Sequence, residues 1–208
     1  MDSNKDENHI DEQKAQRHKA RQQKVKQGVD AKIAAAQEEK GILLVLTGNG
    51  KGKSTSGFGS VARAVGHGQK AAVVQFIKGT WACGERNLLE GAGVEFHVMG
   101  TGFTWETQDK EKDTAAAQQA WAEAEKLLQD ESLDFVLLDE LTYMVTYKYI
   151  ELEQVIHALQ NRPAHQHVVV TGRACHRGII EIADTVSEVQ SIKHAFEAGI
   201  KAQKGFDY

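Results

Sequence analysis

The most constraining feature of this sequence is a glycine-rich loop that follows a short apolar run. The run is GILLVLT, residues 41–47, and the loop is GNGKGKST, residues 48–55. A continuously apolar run that ends in glycines is typical of a buried parallel strand, and the segment STSGFGSVARAVG after it favours a helix. This strand–loop–helix order is the context in which a glycine loop binds phosphate. A glycine turn present for packing alone would not explain the two lysines and the Ser-Thr pair.

The spacing of the loop is one residue shorter than the familiar phosphate-loop pattern. That pattern places four residues between its first glycine and the Gly-Lys-Ser/Thr end. Here the position of that glycine holds Thr47, and Gly48 leaves only three intervening residues. The backbone N–H groups of the loop glycines are expected to converge on an anion, helped by the dipole of the following helix. Lys53 would supply a mobile positive charge, and Ser54 a hydroxyl suited to Mg²⁺.

A second part of a nucleotide site is predicted at FVLLDEL, where Asp139 and Glu140 follow an apolar run. A carboxylate at the end of a buried strand can hold Mg²⁺ directly or through water. An acidic residue at a strand end is about as often only a helix cap. Two carboxylates together, in a chain with a phosphate loop, favour the metal interpretation.

The rest of the chain from Gly41 onward alternates strand-like and helix-like patterns. Apolar runs that resemble the first one lie at 71–77, 94–99, 135–139 and 167–171, and a weaker one lies at 184–189. Apolar stripes at helical spacing lie between them: Ala117, Trp121, Ala124, Leu128; and Leu152, Val155, Ile156, Leu159, closed by Arg162-Pro163. We therefore predict an α/β fold of the P-loop NTPase-like (RecA-like) type, with a mostly parallel sheet of about six strands and helices on both faces.

Residues 1–40 differ in composition from residues 41–208, which suggests an N-terminal arm and one catalytic domain. The arm is rich in charged residues and Gln, and its sparse apolar side chains are Ile10, Val25, Val29 and Ile33. Its composition permits a helix. One interpretation is a solvated, partly disordered arm. The other is a helix that becomes ordered over a ligand or a partner subunit.

Composition excludes several classes of function. A net charge of −4 gives no electrostatic argument for a nucleic-acid or membrane partner. No apolar run reaches the length of a membrane span, and no apolar segment opens the chain, so neither a span nor secretion is expected. Cys83 and Cys175 form no metal-ligand spacing and no disulfide framework, which favours a reducing cytoplasm.

Two further groups of residues are candidates on weaker grounds. Arg173, His176 and Arg177 follow the strand-like run at 167–171, where ligands bind in open α/β sheets. Contact with phosphate and pairing of Arg173 with the nearby carboxylates are both compatible with that position. Phe103 and Trp105, in GTGFTW, would by themselves be interpreted as core residues.

Several segments together resemble one family. GTGFTW, LDELTYMV (138–145), TGRACHRGI (171–179), KGTWACGERN (78–87) and the tail KHAFEAGIKAQKGFDY (193–208) resemble the ATP:corrinoid adenosyltransferases of the cobalamin-biosynthesis type. The resemblance covers about residues 41–208, includes the shortened glycine loop, and is looser for the arm.

The resemblance implies a reaction in which a reduced corrinoid, Co(I), attacks the 5′ carbon of ATP and releases inorganic triphosphate. It implies that Phe103 and Trp105 pack beneath the corrin ring and displace the lower cobalt ligand, and that Lys53 contacts phosphate, whereas Arg173 is a cofactor-binding candidate from its position after the strand-like run. Mg²⁺ or Mn²⁺ would be held by Ser54 and by Glu140, with Asp139 beside it. The ATP loop it implies is Gly48, Asn49, Gly50, Lys51, Gly52, Lys53 and Ser54, and the next residue, Thr55, is also expected to bind the cofactor.

The resemblance also implies a cytoplasmic homodimer, and an electron donor such as a flavodoxin is a compatible partner. Two other functions stay open on the residues alone: a P-loop ATPase or kinase that cleaves the terminal phosphate, and a nucleotide-dependent corrinoid carrier without catalysis. The first would need an acceptor at the γ-phosphate and usually an arginine finger, a role open to Arg173. Neither gives a reason for the aromatic pair.

Overall fold

The computed structural model describes residues 3–77, 83–100 and 109–208, and the side chains of its first helix from residue 13 onward. Contacts between residues divide the chain into two compact units, Met1–Glu39 and Lys40–Tyr208. The first unit consists of one helix, α1 (Ser3–Ala35), whose described side chains are all exposed. The arm is therefore helical in this structure, as its composition permits.

The second unit alternates strands and helices. A short 3₁₀ turn, Ala195–Ala198, follows the last strand. The elements in chain order are β1 (Leu43–Thr47), α2 (Lys53–Gly66), β2 (Ala71–Gln75), α3 (Gly84–Gly91), β3 (Glu95–Val98), α4 (Lys110–Gln129), β4 (Phe135–Asp139), α5 (Leu141–Thr146), α6 (Leu152–Gln160), β5 (His167–Thr171), α7 (Arg177–Ile182) and β6 (Thr185–Glu188).

The six strands form one sheet in the order β3-β2-β4-β5-β1-β6. All five pairings between neighbouring strands are parallel. Each of the six apolar runs identified in the sequence contains one of these strands. The prediction of a mostly parallel sheet of about six strands is therefore confirmed, and the sheet is parallel throughout the described residues.

Side chains on the two faces of the sheet enter two separate apolar cores, because successive residues of a strand point to opposite faces. Val136 and Leu138 pack with α4, α5 and α6, whereas Leu137 between them packs with α2. The helical stripes predicted at Ala117–Leu128 and Leu152–Leu159 supply much of the first core. Helices therefore cover both faces, as predicted.

Parallel strands bring their carboxyl ends to one edge of the sheet, and that edge carries the predicted site. Thr47, Gln75, Asp139 and Thr171 end β1, β2, β4 and β5 respectively. The glycine loop leaves the same edge after β1. Within the described ranges no helix is both long enough and apolar enough to cross a membrane.

Candidate active site

The glycine loop connects β1 to α2, and its glycines are required by close packing on one side. A Cβ on Gly48, which has a φ of 99°, would lie 2.5 Å from the carbonyl oxygen of Val189. On Gly50 it would lie 2.5 Å from the carbonyl oxygen of Gln190. Gly52 caps α2 with a φ of 116°, in the left-handed region that favours glycine. The loop is thus pressed against the chain that follows β6.

This packing corrects one expectation about the backbone donors. The N–H of Gly50 donates to the carbonyl oxygen of Val189 at 2.7 Å. It is therefore engaged on the β6 side of the loop, and it is not among the N–H groups that converge on an anion. Some glycines of the loop are therefore needed for close packing against the neighbouring chain, which is the role of glycine in a turn that is present for packing alone.

Lys53 is the first residue of α2 and is only 6% exposed. Its Nζ donates to the carbonyl oxygen of Gly50 at 2.8 Å, across its own loop. Burial lowers the pKa of the lysine, and the charges of Glu140 and Asp139 oppose that shift. The predicted positive charge is thus held inside the loop, with both carboxylates near enough to act on it.

The loop forms one wall of a cavity of about 440 Å³. The opposite wall comes from the ends of β2, β4 and β5 and from the tail of the chain. The residues predicted from the sequence that line it are Asn49, Gly50, Lys51, Gly52, Lys53, Ser54, Thr55, Asp139, Glu140 and Arg173. The structure thus brings together the loop, both carboxylates and Arg173.

Asp139 ends β4 and is almost completely buried, at 3% exposure. Its Oδ1 accepts from the Thr171 hydroxyl at 2.7 Å, and its Oδ2 accepts from the Gln75 amide at 3.3 Å. The Ser54 side chain lies close enough to this carboxyl to act on it. Burial raises the pKa of this carboxyl, and the three side chains oppose the shift. The predicted metal hydroxyl and the predicted carboxylate are therefore neighbours in the cavity.

Glu140 lies in the left-handed region, with a φ of 61°, and its N–H donates to the Thr171 hydroxyl at 2.9 Å. It occupies the N-cap position of α5, but its side chain makes no cap hydrogen bond, so it does not act as a helix cap. Burial, and secondarily the charge of Asp139, raise its pKa from 4.5 to about 7. Its Oε2 is buried and has no hydrogen-bond partner among the described residues.

The three residues predicted after β5 have different positions. Arg173 lines the cavity, and its charge acts on Lys53 and Glu140 without an ion pair to either carboxylate in the described structure. His176 instead caps α7, where its Nδ1 accepts from the N–H of Gly178 at 3.1 Å. Arg177 pairs with Glu181 on the surface at 2.7 Å. Only Arg173 therefore belongs to the site.

The tail supplies residues that sequence reasoning did not assign to the site. His194, Asp207 and Tyr208 line the cavity, and Asp207 pairs with Lys51 at 2.7 Å. The ring of Phe206 lies 5.4 Å from Lys51 Nζ, a cation–π distance. A second cavity, of about 580 Å³, lies under the tail and shares four lining residues with the first: Asn49, Arg173, His194 and Asp207. The tail carries a family resemblance but no chemical motif that would have indicated this role.

Two polar residues at strand ends were also missed. Gln75 and Thr171 are buried, and both hydrogen-bond to Asp139. The available signal was a polar residue that ends an otherwise apolar strand, as in AAVVQ and HVVVT. Phe103 and Trp105 lie outside the described residues.

The site fits a hydrated divalent cation better than a closed protein cage. No three His, Cys, Asp or Glu side chains gather as a metal cluster in the described part of the chain. Ser54, the carboxylate pair and the unpartnered Glu140 Oε2 are hard oxygen donors, which Mg²⁺ prefers. Mg²⁺ in nucleotide sites usually has one or two protein ligands and completes its shell with waters and phosphate oxygens.

Comparison with known proteins identifies the family. The family model described as ATP:corrinoid adenosyltransferase BtuR/CobO/CobP matches residues 39–208. The chain belongs to this family. A second model, Cob(I)alamin adenosyltransferase N terminal, matches residues 10–33 of the arm. The adenosyltransferase family predicted from the sequence is therefore confirmed, and with it a transferase enzyme.

Individual relatives of this adenosyltransferase agree over nearly their whole length. The corrinoid adenosyltransferase of Escherichia coli K12 is 63% identical over 93% of this chain and 98% of its own. Corrinoid adenosyltransferase CobA of Salmonella typhimurium LT2 has the same identity and coverage. The corrinoid adenosyltransferase of Pseudomonas aeruginosa PAO1 is 54% identical over 94% of this chain and 98% of its own.

Proposed function

We propose that this enzyme transfers the 5′-deoxyadenosyl group of ATP to the Co(I) centre of a corrinoid and releases inorganic triphosphate. Family membership supports corrinoid adenosylation as the reaction class. The observation that carries the proposal is the junction of Lys53, Ser54 and the two carboxylates at one phosphate loop. In the proposed step the cobalt lone pair forms the Co–C5′ bond, the C5′–O bond breaks, and its electron pair leaves with triphosphate.

The residues of the loop would bind and stabilise the leaving group. The charges of Lys53 and Arg173 lie beside the cavity and oppose the negative charge that develops on triphosphate. A bound Mg²⁺ or Mn²⁺ would neutralise further charge there. Both oxygens of Asp139 already accept hydrogen bonds, whereas Glu140 Oε2 has none. Glu140 is therefore proposed as the carboxylate that faces the metal, and Asp139 as the residue that orients Ser54.

We propose that ATP runs through the loop in the direction opposite to that in kinases. A loop of N–H groups recognises phosphate oxygens, and nothing in that chemistry fixes which end of the triphosphate enters first. In a kinase the γ-phosphate must face the acceptor. Here the 5′ carbon must face the corrin, and all three phosphates leave together. The loop shortened by one residue is compatible with this changed fit.

Product analysis tests the function directly. After incubation with ATP and chemically reduced corrinoid, mass analysis should find adenosylated corrinoid and intact triphosphate in equal amounts, with no ADP. Stoichiometric ADP would favour the ATPase or kinase, and bound but unchanged substrates would favour the carrier. Pyrophosphate as the primary product would contradict the proposed orientation.

The aromatic pair is proposed to assist reduction of the corrinoid, on the basis of the family resemblance. An axial oxygen or nitrogen ligand stabilises Co(II), so an apolar wall that displaces this ligand makes reduction to Co(I) easier. Replacement of both Phe103 and Trp105 by Ala should cripple turnover from Co(II) corrinoid with a weak reductant. Turnover from chemically generated Co(I) should fall much less. Equal losses in the two assays would assign the pair to packing or substrate binding.

The remaining assignments rest on the family resemblance and on the composition of the chain. We propose a homodimer that works in the cytoplasm and receives electrons from a donor protein such as a flavodoxin. The domain assignment, an arm over 1–40 and a catalytic domain over 41–208, stays a proposal that rests on composition.

A further inference from the structure

Gln75 is a buried polar residue at the centre of the cavity wall. It ends β2 and pairs in register with Asp139, the last residue of the neighbouring strand β4. It is 4% exposed, and it lines the same cavity as Ser54 and Glu140. A glutamine is rarely buried to this extent unless its amide is used.

Within the described structure only the nitrogen of this amide makes a hydrogen bond. Nε2 donates to Asp139 Oδ2 at 3.3 Å, and Oε1 is buried with no hydrogen-bond partner. The orientation of the amide follows from chemistry, because a carboxylate accepts hydrogen bonds and must therefore face the nitrogen. The oxygen is then directed away from Asp139 and remains an unsatisfied acceptor, which is unfavourable in a buried position.

A second unsatisfied acceptor lies on the residue after Asp139. Glu140 Oε2 is also buried and has no hydrogen-bond partner among the described residues. In Asp139, by contrast, each carboxylate oxygen accepts a hydrogen bond, one from Thr171 and the other from Gln75. Two unused acceptors on residues that line the same cavity indicate a ligand that donates several hydrogen bonds. A hydrated divalent cation is such a ligand, because each of its waters donates two.

We propose that Gln75 is a positioning residue of the metal site, whose amide nitrogen orients Asp139 and whose amide oxygen accepts a hydrogen bond from a water of the hydrated cation. This inference rests on the proposed function for the presence of Mg²⁺ or Mn²⁺ with ATP. In this role Gln75 acts through Asp139, which lies beside Ser54, and through the water shell.

A residue that serves the metal site should, when replaced, change metal affinity without changing the stability of the fold. Methionine has nearly the volume of glutamine and no polar group that requires a partner. Gln75→Met therefore removes both the donor to Asp139 and the unsatisfied oxygen. We expect Mn²⁺ affinity, measured in the presence of ATP by the EPR signal of free Mn²⁺, to fall by about 10-fold or more. The thermal midpoint without metal should stay within a few degrees of the wild-type value.

Gln166 offers a matched control. It is fully buried, its Oε1 is also unpartnered, and its Nε2 donates to the carbonyl oxygen of Leu127 at 3.0 Å. It does not line the cavity described above. Gln166→Met should lower the thermal midpoint, because several carbonyl oxygens share its amide donor, and should leave Mn²⁺ affinity unchanged. A second variant, Gln75→Asn, retains an amide that is too short to reach Asp139 and should also weaken Mn²⁺ binding.

Parallel product analysis of the wild type distinguishes this inference from the proposed function. Wild-type Mn²⁺ affinity in both Gln75 variants, with adenosylated corrinoid still formed by the wild type, would overturn the role of Gln75 alone. A lower thermal midpoint with unchanged Mn²⁺ affinity would make Gln75 a purely structural residue. Absence of adenosylated corrinoid from the wild type would instead overturn the proposed function.

Discussion

Two adjacent carboxylates at the end of a buried strand determine the electrostatics of this site. Burial raises the pKa of both Asp139 and Glu140, and the charge of Asp139 raises that of Glu140 further. Lys53 and Arg173 offset part of this effect at Glu140. Glu140 is moreover held in a backbone conformation that non-glycine residues rarely adopt. Strain and charge repulsion at one residue are typical of a functional position.

The raised pKa of Glu140 predicts how stability depends on pH. The folded protein binds a proton on Glu140 up to about pH 7, whereas the unfolded chain releases it near pH 4.5. The stabilising contribution is therefore complete below pH 4.5 and is lost as the pH rises through 7. We expect denaturant titrations without metal to give a free energy of unfolding that falls over this window. Glu140→Gln should make the fall smaller, leaving the part that Asp139 contributes.

The same residue predicts the pH dependence of metal binding. Mg²⁺ binds the ionised carboxylate, so its midpoint concentration should decrease as the pH rises through about 7. In Glu140→Gln that dependence should largely disappear, and turnover should slow because the departing triphosphate is less well neutralised. Glu131→Gln, at an exposed position, is the control and should change neither property. An unchanged Mg²⁺ midpoint in Glu140→Gln would leave Asp139 as the metal carboxylate.

At the scale of elements, the tail holds the phosphate loop through Lys51. Asp207 pairs with Lys51, and Lys51 lowers the pKa of that carboxyl. Both residues line the cavity that is proposed to bind triphosphate. The ion pair with Asp207 therefore engages a lysine that would otherwise be available to phosphate. The negative charge of Asp207 would also repel phosphate oxygens. We therefore expect the tail to compete with ATP for one cation of the loop.

Removal of that competition should strengthen ATP binding. We expect Asp207→Asn to lower the dissociation constant of ATP by a few-fold, measured by calorimetry at low salt, with little change in thermal midpoint. In a Lys51→Met background the same substitution should have a smaller effect, because the lysine it releases is absent. Weaker ATP binding by Asp207→Asn would mean that Asp207 contacts the nucleotide or orders the loop for it.

At the scale of the whole molecule, the arm and the α/β unit are compact bodies with different compositions. The described side chains of α1 are exposed, including three apolar ones spaced four residues apart: Val25, Val29 and Ile33. A helix with such a stripe has one face suited to packing against an apolar surface. We propose that this helix becomes ordered over bound corrinoid and shields the cobalt.

Deletion of residues 1–40 tests that role. The fold and the affinity for ATP should be unchanged, and the affinity for corrinoid should fall. A triple substitution by Ser at Val25, Val29 and Ile33 should reproduce the loss if the apolar stripe carries the interaction. Substitution of the exposed residues Gln16, Gln22 and Gln23 by Ser is the control. Unchanged corrinoid affinity after the deletion would make the arm a solvated tail.

The sequence by itself determined the strands, the main helices and the glycine loop of this protein. These features are local: a buried strand is a short apolar run, and a helix is an apolar stripe at a spacing of three and four residues. The pair Asp139-Glu140 was visible for the same reason, because it directly follows such a run. Family resemblance then supplied the reaction class, which the comparisons confirm.

Only the tertiary structure decided which side chains meet at the end of the sheet. Gln75 and Thr171 reach Asp139 from positions 64 and 32 residues away in the sequence. Two other contacts also join residues that are far apart in the sequence: the N–H of Gly50 donates to the carbonyl oxygen of Val189, and Lys51 pairs with Asp207. Such contacts depend on strand order and register, which the apolar pattern of a single strand does not encode. The sequence pattern therefore identified the main chemical groups of the site, whereas the assembly of the six strands determined which residues hydrogen-bond to them.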